Sequence, residues 1–132
     1  MLSVVLWSYK VNLIIGIFYL TLNTYFEARS EEQLGQISVA HVVLNRAEQQ
    51  NKTVKEVVLE PYQFSWTNSE PKKIDDPKAL LQCFASSVIA LQGYDFTQGS
   101  TYYHHKRIKP YWRKGLVLVA DIGNHKFYKS SY

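Results

Sequence analysis

The chain has 132 residues, 46% of them apolar and 20% charged, which suits one domain with its own core and excludes a disordered composition. Lysine and arginine outnumber aspartate and glutamate by 15 to 11, for a net charge of +4, so the favoured partners are anionic: nucleic acid, lipid headgroups or cell-wall polymers. A single cysteine, Cys83, excludes an internal disulfide and a cysteine-based zinc site.

Residues 2–22 are almost entirely apolar, interrupted by Lys10 and Asn12. The unbroken part, Leu13 to Leu22, is short for a bilayer span, follows no basic leader and precedes no small-residue cleavage pattern. A core helix from about Val11 to Ala28 is therefore expected, with a weak membrane anchor as the competing reading and no stable membrane span. Ser30 with Gln33 three residues on reads as a capping box opening a second helix, Glu31 to about Gln50. Leu34, Ile37, His41 and Leu44 recur at helical spacing there, with Val42 and Val43 widening the apolar face. Thr53 and Glu56 make another capping box, for a short helix ending near Leu59 and Pro61, and Tyr62 to Ile74 is loop-like. Asp76 before Pro77 caps a helix that should run to Gln92 and stop at Gly93, with Cys83 a buried thiol within it. From Thr97 onward β-branched and aromatic residues predict strands at Ser100–His104, Leu116–Asp121 and Lys126–Tyr128. Helices first and a small sheet last predict one α+β domain over residues 1–132.

Two features point to chemistry. Ten Tyr, three Trp and six Phe exceed the needs of a small core, and such rings stack on flat ligands such as sugars or bases. The segment Tyr25-Phe26-Glu27-Ala28-Arg29-Ser30-Glu31 sets Glu27 at the end of an apolar helix, where aromatic neighbours can desolvate it. Desolvation raises a carboxyl pKa, the condition for a general acid that protonates a glycosidic oxygen near neutral pH. Taken alone, a carboxylate beside Arg29 at a helix end is more often a capping or ion-pair group.

Four blocks in order resemble the cell-wall hydrolase family that includes the spore-cortex-lytic enzymes, over about residues 20–129. They are Glu27-Ala28-Arg29-Ser30-Glu31; Gly35-Gln36, Val39-Ala40 and Asn45-Arg46; Pro61-Tyr62-Gln63-Phe64-Ser65-Trp66; and Gly99-Ser100-Thr101-Tyr102-Tyr103 with Trp112 and Ile122-Gly123-Asn124-His125-Lys126-Phe127-Tyr128. Phe26 and Ser30 depart from the small residue and Gly that the family carries there. The resemblance implies a lysozyme-like fold, helices around a small C-terminal antiparallel sheet. It also implies cleavage of the bond between N-acetylmuramic acid and N-acetylglucosamine in peptidoglycan, by a lytic transglycosylase or muramidase route, with Glu27 as acid and base. Substrate contacts are expected from Gln63, Phe64, Ser65 and Trp66 on the loop and from one of Tyr102 and Tyr103 on the first strand, the other facing the core. Trp112 and His125 are further candidates, burial and hydrogen bonding being the competing role.

A two-carboxylate glycosidase needs a partner across the scissile bond. Glu31, Asp95, Asp121 and Glu60 are available, Glu31 with a structural role preferred, and none stands out. A single-acid route in which the sugar's own N-acetyl or 6-hydroxyl group assists is favoured, leading to an anhydro sugar. No cofactor is expected and no metal site, since adjacent strand residues His104 and His105 face opposite ways. The stretch His104 to Lys114, basic with Tyr111 and Trp112 interleaved, suggests the alternative of a non-catalytic module binding nucleic acid or an anionic wall polymer. With an enzyme, the partners are peptidoglycan strands and the anionic wall surface, and nucleic acid is not expected. With no clear cleavable signal, cytoplasmic synthesis is expected, with release by lysis, as for a phage endolysin, or export by an unrecognised route.

Overall fold

A computed structural model describes residues 2–68 and 70–131 of the chain. Four helices, α1 (Leu2–Ala28), α2 (Gln33–Gln50), α3 (Val54–Leu59) and α4 (Pro77–Gln92), precede three strands, β1 (Tyr102–His105), β2 (Val117–Ile122) and β3 (His125–Lys129). The strands form one antiparallel sheet in the order β1-β3-β2, the α+β arrangement expected. Short 3-10 turns at Ser65–Thr67 and Tyr111–Gly115 shape the connecting loops.

Two start signals form as read from the sequence. Thr53 and Glu56 make both bonds of their capping box, and Asp76 accepts from the Ala79 amide at 3.0 Å with Pro77 at the first helical position. Each cap pairs an amide that the first turn of a helix would otherwise leave without an acceptor.

The start of α2 differs from expectation. Ser30 is exposed and caps nothing; α2 begins at Gln33 behind Glu32, with no side-chain cap. Buried Gln36 serves the turn instead, donating to the Glu31 carbonyl at 3.2 Å and the Arg29 carbonyl at 3.4 Å while accepting from Ser86 at 2.8 Å. Carbonyls in the turn between α1 and α2 need donors once water is excluded, and an amide can supply them while also tying α2 to α4. Because α2 is packed by α1, α3, α4 and the sheet, its buried residues are Gly35, Gln36 and Ser38–Val43, and Leu34 points outward.

Two apolar clusters hold these layers together. Leu20, Val43, Val57, Val58 and Phe64 join the first three helices to the loop after α3. Ala28, Val39, Val42 and Phe127 join α1 and α2 to β3. Burying each large apolar side chain of this kind contributes about 1.5–3 kcal/mol. Cys83 is buried, and burial pushes its thiol up to about 11.

The N-terminal half of α1 departs most from the sequence reading. Lys10 and Asn12 do not delay the helix, which begins at Leu2. Nor is this apolar run a core helix: Val4, Val5, Leu6 and Trp7 are 50–69% exposed, and burial becomes continuous only near Leu20. Periodicity cannot distinguish a helix buried by protein from one whose apolar side chains face outward.

Candidate active site

Glu27 lies one residue from the end of α1, where the helix dipole's negative pole disfavours added negative charge. Desolvation is the largest influence on its carboxyl and raises the pKa; the Tyr103 hydroxyl, which donates to Oε1, and the Arg46 guanidinium act in the lowering direction without cancelling it. The result is a carboxyl held above its ordinary range, as a general acid requires. Burial first, and then Glu27 beside it, push the Tyr103 phenol well above its usual range, so it remains a donor.

Arg46 is fixed from α2. Its Nε donates to the Thr101 carbonyl at 2.6 Å, and its guanidinium lies over the rings of Phe64, at 5.4 Å, and Tyr102, at 5.9 Å. Asn45 beside it donates to the Ser100 carbonyl at 3.0 Å and to Asp95 at 2.8 Å. The end of α2 thereby registers the approach to β1, which brings Tyr103 to Glu27.

Glu27, Arg46 and Tyr103 line an open cleft of about 620 Å³ that also includes Tyr62, Gln63, Phe64, Tyr102, His104, His105, Ile108, Trp112 and His125. Both β1 tyrosines line it, where one was expected. All four residues of β1, an edge strand, line the cleft together with His125 of β3, so both faces of β1 contribute to it. Tyr102 and Trp112 form an aromatic wall with ring centres 5.7 Å apart, and Gln63 reaches Arg46 at 3.5 Å. Ser65 and Trp66 do not join the cleft lining. Ser65 opens a 3-10 turn, while Trp66 stacks on Phe26 at 4.8 Å and donates to Asn23 at 2.8 Å, fastening the loop to α1.

Sequence reasoning did not select Arg46, Tyr62, His104, His105 or Ile108 for this site. Arg46 was visible in the Asn45-Arg46 pair, and a lone arginine in a helix gave no reason to single it out. Tyr62 carries a positive φ of 64° and is 87% exposed, an uncommon backbone conformation for an aromatic residue that leaves no signal in the sequence.

The other carboxylates have separate partners. Buried Glu31 accepts from the Asn124 amide at 2.9 Å, the Asn124 side chain at 2.8 Å and His125 Nδ1 at 3.1 Å. Desolvation opposes its ionisation most, but these donors together outweigh it and hold its pKa below the ordinary carboxylate value. Burial lowers the His125 pKa despite Glu31, which favours the neutral ring, and a carboxylate partner at Nδ1 can only accept, so that nitrogen is the donor. Asp95 accepts from Thr97 and Gly99 within its own loop and from Asn45 on α2, Asp121 pairs with Lys106, and Glu60 with Lys52. Among the described residues Glu27 is the one carboxylate lining the cleft, and no group of three or more possible metal ligands is found. His104 is instead bonded to the Tyr128 hydroxyl at 2.8 Å and stacked on that ring.

Helices around a small antiparallel sheet, with one partly desolvated glutamate at the end of a helix and an open aromatic cleft before it, define a lysozyme-like domain. The chain belongs to the cell wall hydrolase family, whose profile matches residues 30–128 and so begins three residues after Glu27. A search among curated protein sequences gives no significant match. Two solved structures are similar. The catalytic domain of the germination-specific lytic transglycosylase SleB from Bacillus anthracis is 27% identical, with a TM-score of 0.70 over 86% of this chain and 93% of that one. The catalytic domain of Bacillus cereus SleB is 28% identical, with a TM-score of 0.68 over 86% and 89%.

Proposed function

We propose that this single domain cleaves peptidoglycan between N-acetylmuramic acid and N-acetylglucosamine as a lytic transglycosylase, with Glu27 as both acid and base. The observation that carries this reading is the single desolvated carboxylate in the cleft; a two-carboxylate mechanism has no second group there. The similarity to two lytic transglycosylase domains supports it.

In the first step Glu27 protonates the glycosidic oxygen and the bond from that oxygen to the muramic acid anomeric carbon breaks. Tyr103 donates to the carboxylate that this transfer leaves, and Arg46 adds favourable charge nearby. In the second, the sugar's own 6-hydroxyl oxygen bonds to the anomeric carbon and its proton passes to Glu27, which restores the acid and yields an anhydro end. No water is consumed. Gln63, Phe64, Tyr102 and Trp112 would flank the strand, rings against sugar faces and the amide against hydroxyls. Ser65 and Trp66 would act through the loop they hold, and His125 through the β1–β3 wall. Lys106, Arg107, Lys109, Arg113 and Lys114 flank cleft residues Ile108 and Trp112. The basic stretch would thus draw the domain to an anionic wall, a use within the enzyme that leaves a separate binding module unneeded.

Isolated peptidoglycan treated with the protein should lose turbidity and release fragments with anhydro ends by mass, and Glu27→Gln should do neither. Reducing ends in place of anhydro ends would reassign the second step to water. Intact wall under the parent protein would overturn the enzyme reading.

A further inference from the structure

The geometry points to insertion of the N-terminal half of α1 into a lipid bilayer, so that this domain works from a membrane surface. Lys10 is the sole charged residue before Glu27. Val4, Val5, Leu6 and Trp7 are all at least half exposed, and at about 100° per residue four consecutive positions point in every direction around the helix. A partner helix or a second copy of this chain covers one stripe, and an in-plane amphipathic helix needs a polar face. Of the exposed polar residues, Ser3 and Lys10 share one side of α1 while Ser8 and Asn12 share the roughly opposite one, so they make no single polar face. A medium apolar on all sides satisfies the whole circumference.

Length and continuity agree. Ser3 to Tyr19, the stretch before burial becomes continuous, covers about 17 residues and ~25 Å, the lower end of what spans a bilayer's hydrocarbon core. Where α1 meets the body, the apolar surface does not stop: a groove of about 720 Å³ continues it through Ile14, Phe18, Ile74, Leu81 and Phe84 onto α4. Lys10 lies ~10 Å from Ser3 along the axis, and its flexible stem can carry the ammonium toward the headgroups.

The full chain, purified in mild detergent, would be mixed with neutral phosphatidylcholine vesicles and floated through a density gradient. Neutral lipid removes the attraction that a +4 protein has for anionic headgroups. Expected is co-flotation that survives high salt and alkaline washing. Val5→Glu combined with Ile14→Glu should cut it at least tenfold, with clearing of isolated peptidoglycan unchanged. Parent protein left in the soluble fraction, a lipid-free dimer that ignores vesicles, retention lost in high salt, or protein from producing cells that lacks the segment by mass would each overturn the proposal.

Discussion

The Tyr103 hydroxyl donates to Glu27 Oε1 across 76 residues of sequence, and among the described residues no other hydrogen bond reaches that carboxylate. It favours the ionised form and so restrains the upward shift that desolvation imposes. Tyr103→Phe should raise the Glu27 pKa further and lower the maximal rate roughly tenfold, the equivalent of ~1.4 kcal/mol. The high-pH limb of activity, where the acid loses its proton, then moves upward. A pH–rate profile in which that limb stays put would break the link between this bond and the acid.

Glu27→Gln separates catalysis from stability. A carboxyl with a raised folded-state pKa keeps its proton in the native state after the unfolded chain has lost it. Native stability therefore falls as pH rises through that window, and at neutral pH an ionised Glu27 is a burden on the fold. Gln carries no charge and still offers an oxygen to Tyr103. The variant should lose at least ~100-fold in activity while its Tm at pH 7 is equal to or a few degrees above the parent's, and this gain should vanish in acid. Paired thermal melts at pH 4 and pH 7 read the sign directly.

Glu31 has the opposite dependence. Its pKa is lowered in the fold, so its contribution is present above the ordinary carboxyl pKa and disappears as pH falls through the folded value. Glu31→Gln should cost about 1–3 kcal/mol at pH 7, since one oxygen must replace two acceptors for three donors. The loss should shrink at pH 3. Gly123 is part of the same clamp: its φ is +57°, and a Cβ there would sit 2.8 Å from Glu31 Oε1. Gly123→Ala should therefore destabilise by a similar ~1–3 kcal/mol, measured by urea unfolding.

Two tryptophans should part company under substitution. Trp112 is 43% exposed on the cleft wall beside Tyr102, so Trp112→Ala should raise KM severalfold with a smaller change in kcat. Trp66 spends its indole N–H on Asn23, whose own amide nitrogen has no partner. Trp66→Phe should lower stability by about 1–3 kcal/mol and loosen the loop bearing Gln63 and Phe64. Wall-fragment kinetics alongside thermal melts distinguish the two.

The sequence disclosed the elements whose causes are local. Capping at Thr53 and Asp76, the three strands, and Glu27 at the end of an apolar helix were all readable from neighbours within a few positions. What it hid depends on groups far apart in the chain. Gln36 takes over the turn expected of Ser30 because Ser86, 50 residues away, fixes its amide. Arg46 became part of the cleft only when Thr101 and Tyr102 were brought to it. Trp66 faced α1 because Asn23 offered an acceptor. The role of Glu31 was foreseen as structural, but its partners lie 93 and 94 residues on, beyond any local pattern.

α1 runs without a break from Leu2 to Ala28 and carries Glu27 in its final turn. No proline or loop intervenes that could act as a swivel, so whatever orients the first turns of this rod also orients Glu27, the proposed acid. With those first turns held in a bilayer, the cleft would keep one bearing and one height above it. A glycan strand must be fed past it, and how much of the wall is cut depends on the supply of strand within reach.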